Sequence, residues 1–203
     1  VVARDMARHR GATGRLCVLA SDQAHSSIAS TAHVIDVDVV GVPTVDDRLT
    51  GVAVEAAVAS YHDPSSIAAV VATAGTTNAG IVDDLAGVGA AARRHGIWFH
   101  VDGAYGAAAL FAPSARHRFD GIELADSLVV DPHKWLFAPF DCAALLYRTP
   151  RLARAVHTQD ASYLDAIHTD DGEWNPTDYA YHLTRRARGL AIWFSMAVHG
   201  LGA

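Results

Sequence analysis

Short apolar runs rich in β-branched and aromatic residues alternate with helical patterns along most of the chain. Runs of this length predict strands, and the segments between them have the apolar spacing of helices. The clearest helical pattern starts at Asp83-Asp84, where carboxylates suit the N-cap and first turn, and stops at Gly96. We therefore predict an α/β fold with a mostly parallel sheet between helices on both faces. The predicted strands are residues 15–20, 33–39, 67–74, 97–102, 127–131 and 142–148.

The pattern changes after the last predicted strand. Residues 149–178 are polar and irregular, and Pro150 and Pro176 interrupt them. A segment of this length without a regular pattern indicates a functional loop or a mobile segment. A last helical pattern follows at about 184–199. We divide the chain into a core at 1–150, a loop region at 151–183 and the start of a helix at 184–203.

Composition and charge narrow the classes of function. Hydrophobic residues make up 51% of the 203 residues, which excludes a disordered chain. The formal net charge of −6 and the scattered arginines form no basic stripe, so we expect neither nucleic acid nor an anionic membrane as a partner. No apolar run has the length of a membrane span. Cys17 and Cys142 lie in apolar runs and suit buried thiols in a reducing cytoplasm. The first residue, valine, indicates an interior piece of a longer chain.

Polar residues gather where predicted strands end. Residues 76–78 follow one strand, Asp102 ends another, and residues 131–134 follow a third. In open α/β sheets, ligands bind at the carboxyl ends of the strands. We therefore expect the functional site at this edge of the sheet.

Lys134 is the single lysine of the chain, beside fifteen arginines (16 − 1). A preference for arginine wherever only charge matters explains the other positions, but it leaves this lysine unexplained. Arginine cannot act as an amine nucleophile, whereas a lysine in an apolar setting can lose its proton near neutral pH and attack a carbonyl. Lys134 is therefore a candidate Schiff-base nucleophile.

Four motifs follow one another along the chain: SDQAHSS at 21–27, AGTTNAG at 74–80, HVDGAYG at 100–106 and DPHKW at 131–135, the last with FDC at 140–142. In this order they resemble the group II pyridoxal-phosphate-dependent decarboxylases, and most of all the aromatic-L-amino-acid decarboxylase branch. The likeness runs over nearly the whole chain. It implies the large domain of pyridoxal-phosphate fold type I, a three-layer αβα unit that is partial here and lacks its flanking N- and C-terminal parts.

The resemblance implies a role for each of several residues around the cofactor, pyridoxal 5'-phosphate. Lys134 would hold its aldehyde as an imine, and Asp102 would keep its pyridine nitrogen protonated. His25 would stack on the ring near the substrate carboxylate, while Ala104 would pack against the other ring face. His133 would lie against the phosphate or help to position the substrate.

Three further positions match the family, each with a structural alternative. Thr77 and Asp83 match residues near the phenolic oxygen, but Thr77 could instead satisfy loop backbone groups and Asp83 could be a helix N-cap. Ser127 could bond the phosphate or simply open its strand. Asp131 departs from the family, because relatives often have asparagine there and an anion near a phosphate is unfavourable.

Tyr163 matches a tyrosine that relatives carry on a mobile loop, which closes over the partner subunit's site. A phenol there can return a proton to the substrate's alpha carbon after carbon dioxide leaves. Relatives with phenylalanine at this position favour aldehyde formation, so Tyr163 predicts simple decarboxylation, in a homodimer with shared active sites. The alternative for Tyr163 is a loop aromatic held on the surface.

The resemblance also gives functions to the three segments: a cofactor-binding core at 1–150, a mobile catalytic loop region at 151–183, and at 184–203 the start of the helix that leads to a missing C-terminal domain. Arg185, Arg186 and Arg188 receive no catalytic role. A hydroxyl at Thr184 favours a phenolic substrate.

We thus predict decarboxylation of an L-amino acid, most consistent with an aromatic one, to the amine and carbon dioxide. An aldehyde synthase on the same scaffold is the nearest alternative. A third possibility is a metal-dependent hydrolase, whose metal ligands would be His100, Asp102, His133 and Asp141. A fourth is an inactive fragment that acts only as a piece of an assembly.

Overall fold

The computed structural model describes residues 1–158, 175–180 and 182–200. It contains a six-stranded sheet with the order β2-β1-β3-β4-β5-β6. The strands β1 to β5 pair in parallel, and β6 is antiparallel to β5 at one edge. The predicted α/β class with a mostly parallel sheet is confirmed. The strands are β1 Cys17–Ser21, β2 Asp38–Val42, β3 Ile67–Thr73, β4 Trp98–Asp102, β5 Ser127–Val130 and β6 Ala144–Tyr147.

Strand β3 lies between β1 and β4, and all seven of its residues are buried. Its sequence is apolar at every position except the last, Thr73, which is the pattern of a strand covered on both faces. Strand β2 forms an edge and is mostly exposed. Its first residue, Asp38, pairs there with Arg15.

Helices cover both faces of the sheet, which gives the predicted three layers. On one face, α3 (Gly51–Ser60) and α4 (Leu85–His95) pack on apolar side chains from β1, β3 and β4. On the other face lie α1 (Val2–His9), α2 (Ser27–Val34) and α5 (Pro150–His157). The last described helix is α6 (Arg188–His199). None of the helices in the described ranges is long and apolar enough to cross a bilayer.

Helix α4 confirms the boundaries that the sequence predicted. The Asp84 side chain accepts a hydrogen bond from the Gly87 amide at 2.9 Å and so caps the N-terminus. Gly96 follows the last turn with a φ of 64°, a left-handed conformation that favours glycine at a helix C-terminus.

The predicted strand at 33–39 was wrong. Helix α2 continues to Val34, and β2 begins only at Asp38. Asp36 turns the chain between them with a φ of 54°, and the Val37 amide donates to the Ala32 carbonyl. The apolar residues from 34 to 40 fit a helix end and a strand equally well, so the pattern did not mark the turn between them.

Two other boundaries differ from the prediction. Helix α5 occupies part of the segment that looked irregular, with Pro150 at its first position, where the missing N–H is harmless. Helix α6 begins at Arg188, four residues after the predicted start at 184. Both cysteines, Cys17 and Cys142, are buried free thiols as predicted.

Candidate active site

A cavity of about 580 Å³ lies on the face of the sheet that carries α1 and α2. Side chains from alternate positions of neighbouring strands form its floor, because successive residues of a strand point to opposite faces. The cavity brings together six of the residues predicted from the sequence. They are His25, Thr77, Asp102, Ala104, Ser127 and Lys134, and Asp131 lies among them.

Lys134 lies in a turn just beyond β5, where the Lys134 amide donates to the Asp131 carbonyl at 2.9 Å. Its Nζ lies 2.8 Å from Oδ2 of Asp131. The Asp131 carboxylate is thus the ion-pair partner of the candidate nucleophile. The lysine side chain is 40% exposed, so it remains open to a ligand in the cavity.

The loops after β4 and β5 are joined beside Lys134. The Asp131 amide donates to the Ala104 carbonyl at 3.0 Å, and the ring of Trp135 stacks on Tyr105 with centroids 5.2 Å apart and planes at 17°. Neighbouring parallel strands end at the same edge of a sheet, and these contacts hold the two loops together there. The amine and the Asp102 carboxylate therefore border one cavity although they are far apart in the chain.

Asp102 is the last residue of β4, and its Oδ1 accepts a hydrogen bond from the Ala104 amide at 3.1 Å. It pairs in register with Thr73 on β3 and Val129 on β5. Among the described residues, no arginine or lysine forms an ion pair with Asp102. A half-buried carboxylate at a strand end without a cationic partner suits a cationic ligand.

Close approach of the chain shapes the loop that follows Asp102. A Cβ added at Gly103 would lie 2.5 Å from the Cβ of Ala107 and 3.1 Å from the carbonyl oxygen of Val129. Position 103 therefore requires glycine. The next residue, Ala104, lines the cavity with a small side chain, which leaves room for a flat ring beside it.

His25 lies in the loop between β1 and α2 and is exposed. Its Nδ1 accepts a hydrogen bond from the Ser27 amide at 3.2 Å and lies 2.9 Å from the Ser27 hydroxyl. Because the amide can only donate, a neutral His25 ring carries its proton on Nε2. Nε2 is then free to donate to an anionic group in the cavity.

Ser127 faces the cavity, but its hydroxyl is engaged by two neighbouring side chains. Trp98 Nε1 donates to Ser127 Oγ at 2.9 Å, and His100 Nδ1 lies 2.8 Å from the same oxygen. Burial lowers the pKa of His100 to about 4, against the opposing effect of the nearby Asp102 carboxylate. His100 is therefore neutral near pH 7, and its contact with Ser127 is a bond between neutral groups.

Two predicted residues lie outside the cavity lining. His133 Nδ1 contacts the main chain of Cys142, and its ring meets Phe140 edge-on. Asp83 is buried, and its carboxylate accepts from the Leu49 amide at 2.7 Å and the Thr73 amide at 2.6 Å. Burial raises the pKa of Asp83 to about 6, although these amide hydrogen bonds lower it. The helix N-cap is Asp84 rather than Asp83, and Tyr163 lies outside the described residues.

The four residues of the metal-hydrolase alternative are not a ligand cluster. Within the described ranges, no three histidine, cysteine, aspartate or glutamate side chains come together as metal ligands. Asp141 instead pairs with Arg188, whose side chain donates to both of its carboxylate oxygens at 3.1 Å. This pair lowers the pKa of Asp141 and connects α6 to the loop before β6.

Thr73 and Tyr105 are among the cavity-lining residues to which the sequence analysis gave no role. Thr73 ends an otherwise apolar strand, and Tyr105 follows Ala104 in the third motif. Thr73 could have been found from its position two residues after Val71, because residues two apart in a strand lie on the same face, which here is the face of the cavity. Tyr105 showed no signal beyond its position in the motif.

An open sheet with an amine and a carboxylate at neighbouring strand ends fits a cofactor that carries a carbonyl group. A model of the pyridoxal-dependent decarboxylase conserved domain matches residues 2–202. The chain therefore belongs to the pyridoxal-dependent decarboxylase family. The predicted family and, at the level of the family, the predicted pyridoxal cofactor are confirmed.

Individual relatives agree with this assignment. The chain is 34% identical to aromatic-L-amino-acid decarboxylase of Drosophila melanogaster over 192 residues, which are 93% of this chain and 37% of that protein. It is 35% identical to tryptophan decarboxylase 1 of Oryza sativa subsp. japonica over 216 residues, 99% of this chain and 42% of that protein. The chain thus spans about two fifths of the length of these relatives.

Solved structures show the same fold. The crystal structure of Oryza sativa TDC with PLP and tryptamine matches with a TM-score of 0.88 and 32% identity, over 99% of this chain and 44% of that one. The crystal structure of Rhodiola rosea 4-hydroxyphenylacetaldehyde synthase matches with a TM-score of 0.84 and 29% identity, over 99% of this chain and 43% of that one. A decarboxylase and an aldehyde synthase therefore share this scaffold.

The described residues fit pyridoxal phosphate by their chemistry. An aldehyde needs a primary amine, which Lys134 supplies at the cavity wall. A pyridine nitrogen that must stay protonated needs a carboxylate, and Asp102 has one with no cationic partner among the described residues. A flat ring needs a small neighbour, which is Ala104.

Proposed function

We propose that this chain is the cofactor-binding part of a pyridoxal-phosphate-dependent carboxy-lyase that converts an aromatic L-amino acid to its amine and carbon dioxide. The observation that carries the proposal is that Lys134 and Asp102 line one cavity, with His25 on its wall. Membership of the pyridoxal-dependent decarboxylase family supports the reaction class. Relatives named aromatic-L-amino-acid decarboxylase and tryptophan decarboxylase support the aromatic substrate.

Lys134 would hold the cofactor covalently through its aldehyde carbon. To do so, its Nζ must lose a proton and leave the ion pair with Asp131, because a protonated amine has no lone pair for attack. The 40% exposure of the side chain gives it room to turn towards the cavity. When bound, pyridoxal phosphate supplies an electron-withdrawing ring that accepts the electron pair left by the departing carboxylate.

Asp102 would accept a hydrogen bond from the protonated pyridine nitrogen. The Ala104 amide already fixes one of its oxygens at 3.1 Å, which leaves the other for the ligand. A hydrogen bond between two charged groups is stronger than a neutral one, particularly at a site shielded from water. Ala104 and His25 would lie on opposite faces of the ring, and Nε2 of His25 would donate to the substrate carboxylate.

The other predicted cofactor contacts belong to the same proposal. Thr77 lines the cavity and would lie near the phenolic oxygen. Ser127 is engaged by Trp98 and His100, so we propose that it supports the cavity floor in place of bonding the phosphate. His133 and Asp83 do not line the cavity and would act indirectly, His133 by fixing the backbone at Cys142 and Asp83 by fixing the backbone at Thr73.

We propose that the assembly is a homodimer in which Tyr163 returns the proton to the alpha carbon in the partner's site. A tyrosine at this position favours the amine over the aldehyde as product, and the aldehyde synthase is the second candidate because the Rhodiola rosea enzyme has the same fold. The Tyr163→Phe variant removes one oxygen and little volume, so a packing defect does not confound it.

The experiment measures products from the protein that contains this chain. Wild type and Tyr163→Phe receive tryptophan, tyrosine and 3,4-dihydroxyphenylalanine in separate assays for amine, aldehyde, ammonia and peroxide. We expect amine from the wild type and a shift towards aldehyde in the variant. Aldehyde as the main wild-type product would support the synthase instead, and a preference for tryptophan would overturn the phenolic inference from Thr184.

A further inference from the structure

The hydroxyl of Thr73 stands apart from the other buried polar groups. The residue is 4% exposed, and its Oγ1 has no hydrogen-bond partner, which holds for no other fully buried side-chain oxygen or nitrogen in the described ranges. Buried hydroxyl groups are almost always hydrogen-bonded, because they lose their bonds to water on folding. An exception of this kind calls for a functional explanation.

Thr73 occupies the position next to the candidate cofactor carboxylate. It pairs in register with Asp102 on the neighbouring parallel strand, and both residues line the cavity. Neighbouring strands lie about 4.8 Å apart, and paired residues point to the same face. The two side chains are therefore adjacent on the cavity floor.

The backbone around this pair is held firmly. The Thr73 amide donates to Oδ2 of Asp83 at 2.6 Å, and the Ala74 amide donates to the Asp102 carbonyl at 2.7 Å. The Thr73 side chain is branched at Cβ and has few rotamers in a strand. A small turn of the Asp102 carboxylate is thus the movement that can bring the two groups into hydrogen-bond range.

We propose that Thr73 is a positioning residue for Asp102, and this inference rests on the function proposed above. Its hydroxyl donates to the Asp102 carboxylate when that carboxylate turns to the pyridine nitrogen of pyridoxal phosphate. A carboxylate has about four acceptor sites, and the Ala104 amide uses one of them. The Thr73 hydroxyl then fixes the carboxylate from the side of β3.

The test compares cofactor binding in wild type, Thr73→Val and Thr73→Ser. Valine keeps the branched shape and removes the hydroxyl, so we expect the affinity for pyridoxal phosphate to fall about tenfold, as for a lost hydrogen bond to a charged group. Thr73→Ser keeps the hydroxyl and should restore most of the affinity. Equal affinities of wild type and Thr73→Val would overturn the inference.

Thermal unfolding supplies a second readout that does not depend on activity. Because Oγ1 lacks a partner without cofactor, Thr73→Val should not lower the unfolding midpoint of the cofactor-free protein, while the rise in midpoint on adding cofactor should shrink. A lower midpoint of the cofactor-free variant would mean that the hydroxyl is already paired, which contradicts the inference.

Thr76 offers a matched control on the same segment. It is 5% exposed, its Oγ1 accepts from the Ile81 amide at 3.1 Å, and it does not line the cavity. Thr76→Val should lower the unfolding midpoint with and without cofactor and leave the affinity unchanged. A tenfold loss of affinity in Thr76→Val as well would show that the loss is not specific to Thr73, and it would overturn the inference.

The double variant Thr73→Val/Asp102→Asn tests whether Thr73 acts through Asp102. If it does, the valine should have little further effect on cofactor affinity once the carboxylate is gone. A full tenfold further loss would overturn the positioning role. Failure of the proposed function has a different signature, because wild-type protein would then give no borohydride-trapped adduct with pyridoxal phosphate.

Discussion

The two faces of β4 differ sharply although they belong to the same five residues. Phe99 and Val101 point into the layer below α3 and α4, where they are 1% and 0% exposed. Trp98, His100 and Asp102 point the other way and line the cavity. One strand thus supplies apolar packing on one face and chemistry on the other.

Because alternate residues of β4 face different layers, we expect packing and the candidate site to depend on different residues of the same strand. The face towards α3 and α4 is filled with aliphatic and aromatic side chains. The opposite face has short helices, a cavity and a row of polar groups. Ser127 is hydrogen-bonded there to Trp98 and His100, while the Thr73 hydroxyl has no partner. Neighbouring substitutions along β4 should therefore have effects of different kinds.

The largest expected effect is on the cavity side, at Lys134. Lys134→Arg keeps the positive charge, but a guanidinium cannot form an imine, so covalent cofactor binding and activity should be abolished. Borohydride reduction followed by peptide mapping measures this directly. As a control, adding Arg93→Lys, at an exposed position of α4, should not rescue the variant. Full activity of Lys134→Arg would remove this lysine from the mechanism.

The next largest effect is expected on the packing face. Phe99→Ala should lower the free energy of unfolding by about 3–5 kcal/mol, because it removes a buried aromatic ring and leaves a cavity. The absorption spectrum of the bound cofactor should stay the same in the protein that remains folded. Denaturant unfolding and a visible spectrum test both statements, and a changed spectrum would show that the two faces are coupled.

Asp102→Asn, on the cavity face, should leave stability unchanged and reduce activity, whereas Phe99→Ala reduces stability. The fold should remain, but the rate of decarboxylation should fall at least about a hundredfold, on the order of 3 kcal/mol of lost transition-state stabilisation. A neutral amide does not keep a pyridine nitrogen protonated. Single-turnover kinetics with a saturating aromatic amino acid measure the rate, and a near-wild-type value would exclude Asp102 from the reaction.

The smallest expected effect is a pH dependence of stability from His100. Its pKa of about 4 in the folded protein lies below the value of 6.5 in an unfolded chain, so between these pH values the unfolded state binds more protons. Stability should therefore decrease as the pH falls from 6.5 to 4, by on the order of 2 kcal/mol. The free energy of unfolding of the His100→Gln variant should decrease less between pH 6.5 and pH 4. An identical pH profile of both proteins in urea titrations would contradict the prediction.

Much of the fold could be predicted from local patterns. Five of the six strands, the cap at Asp84 and the glycine at Gly96 follow from residues close in sequence. The strand at 33–39 was misplaced because its apolar run continues through the end of a helix, and periodicity does not mark a turn at Asp36. Short elements with ambiguous patterns are decided by what they pack against.

The predicted residues of the candidate site remain predictions as to their roles, but the structure shows where they lie. His25, Thr77, Asp102, Ala104 and Lys134 line one cavity because β1, β3, β4 and β5 end at the same edge of the sheet, and Ser127 joins them from the start of β5 on the cavity floor. Asp83 and His133 do not line it, and their side chains bond backbone groups of Leu49 and Thr73 and of Cys142. Spacing along the chain carries no information about such partners.

The sequence by itself determined the family, the α/β class and the identity of the single lysine, because these depend on residue types, order and periodicity. Only the tertiary structure decided that Asp131 pairs with Lys134, that Ser127 is held by Trp98 and His100, and that the Thr73 hydroxyl is unpaired beside Asp102. The physical reason is that hydrogen bonds and ion pairs form between atoms a few ångströms apart. Those distances arise only when strands from distant parts of the chain pair in a specific register.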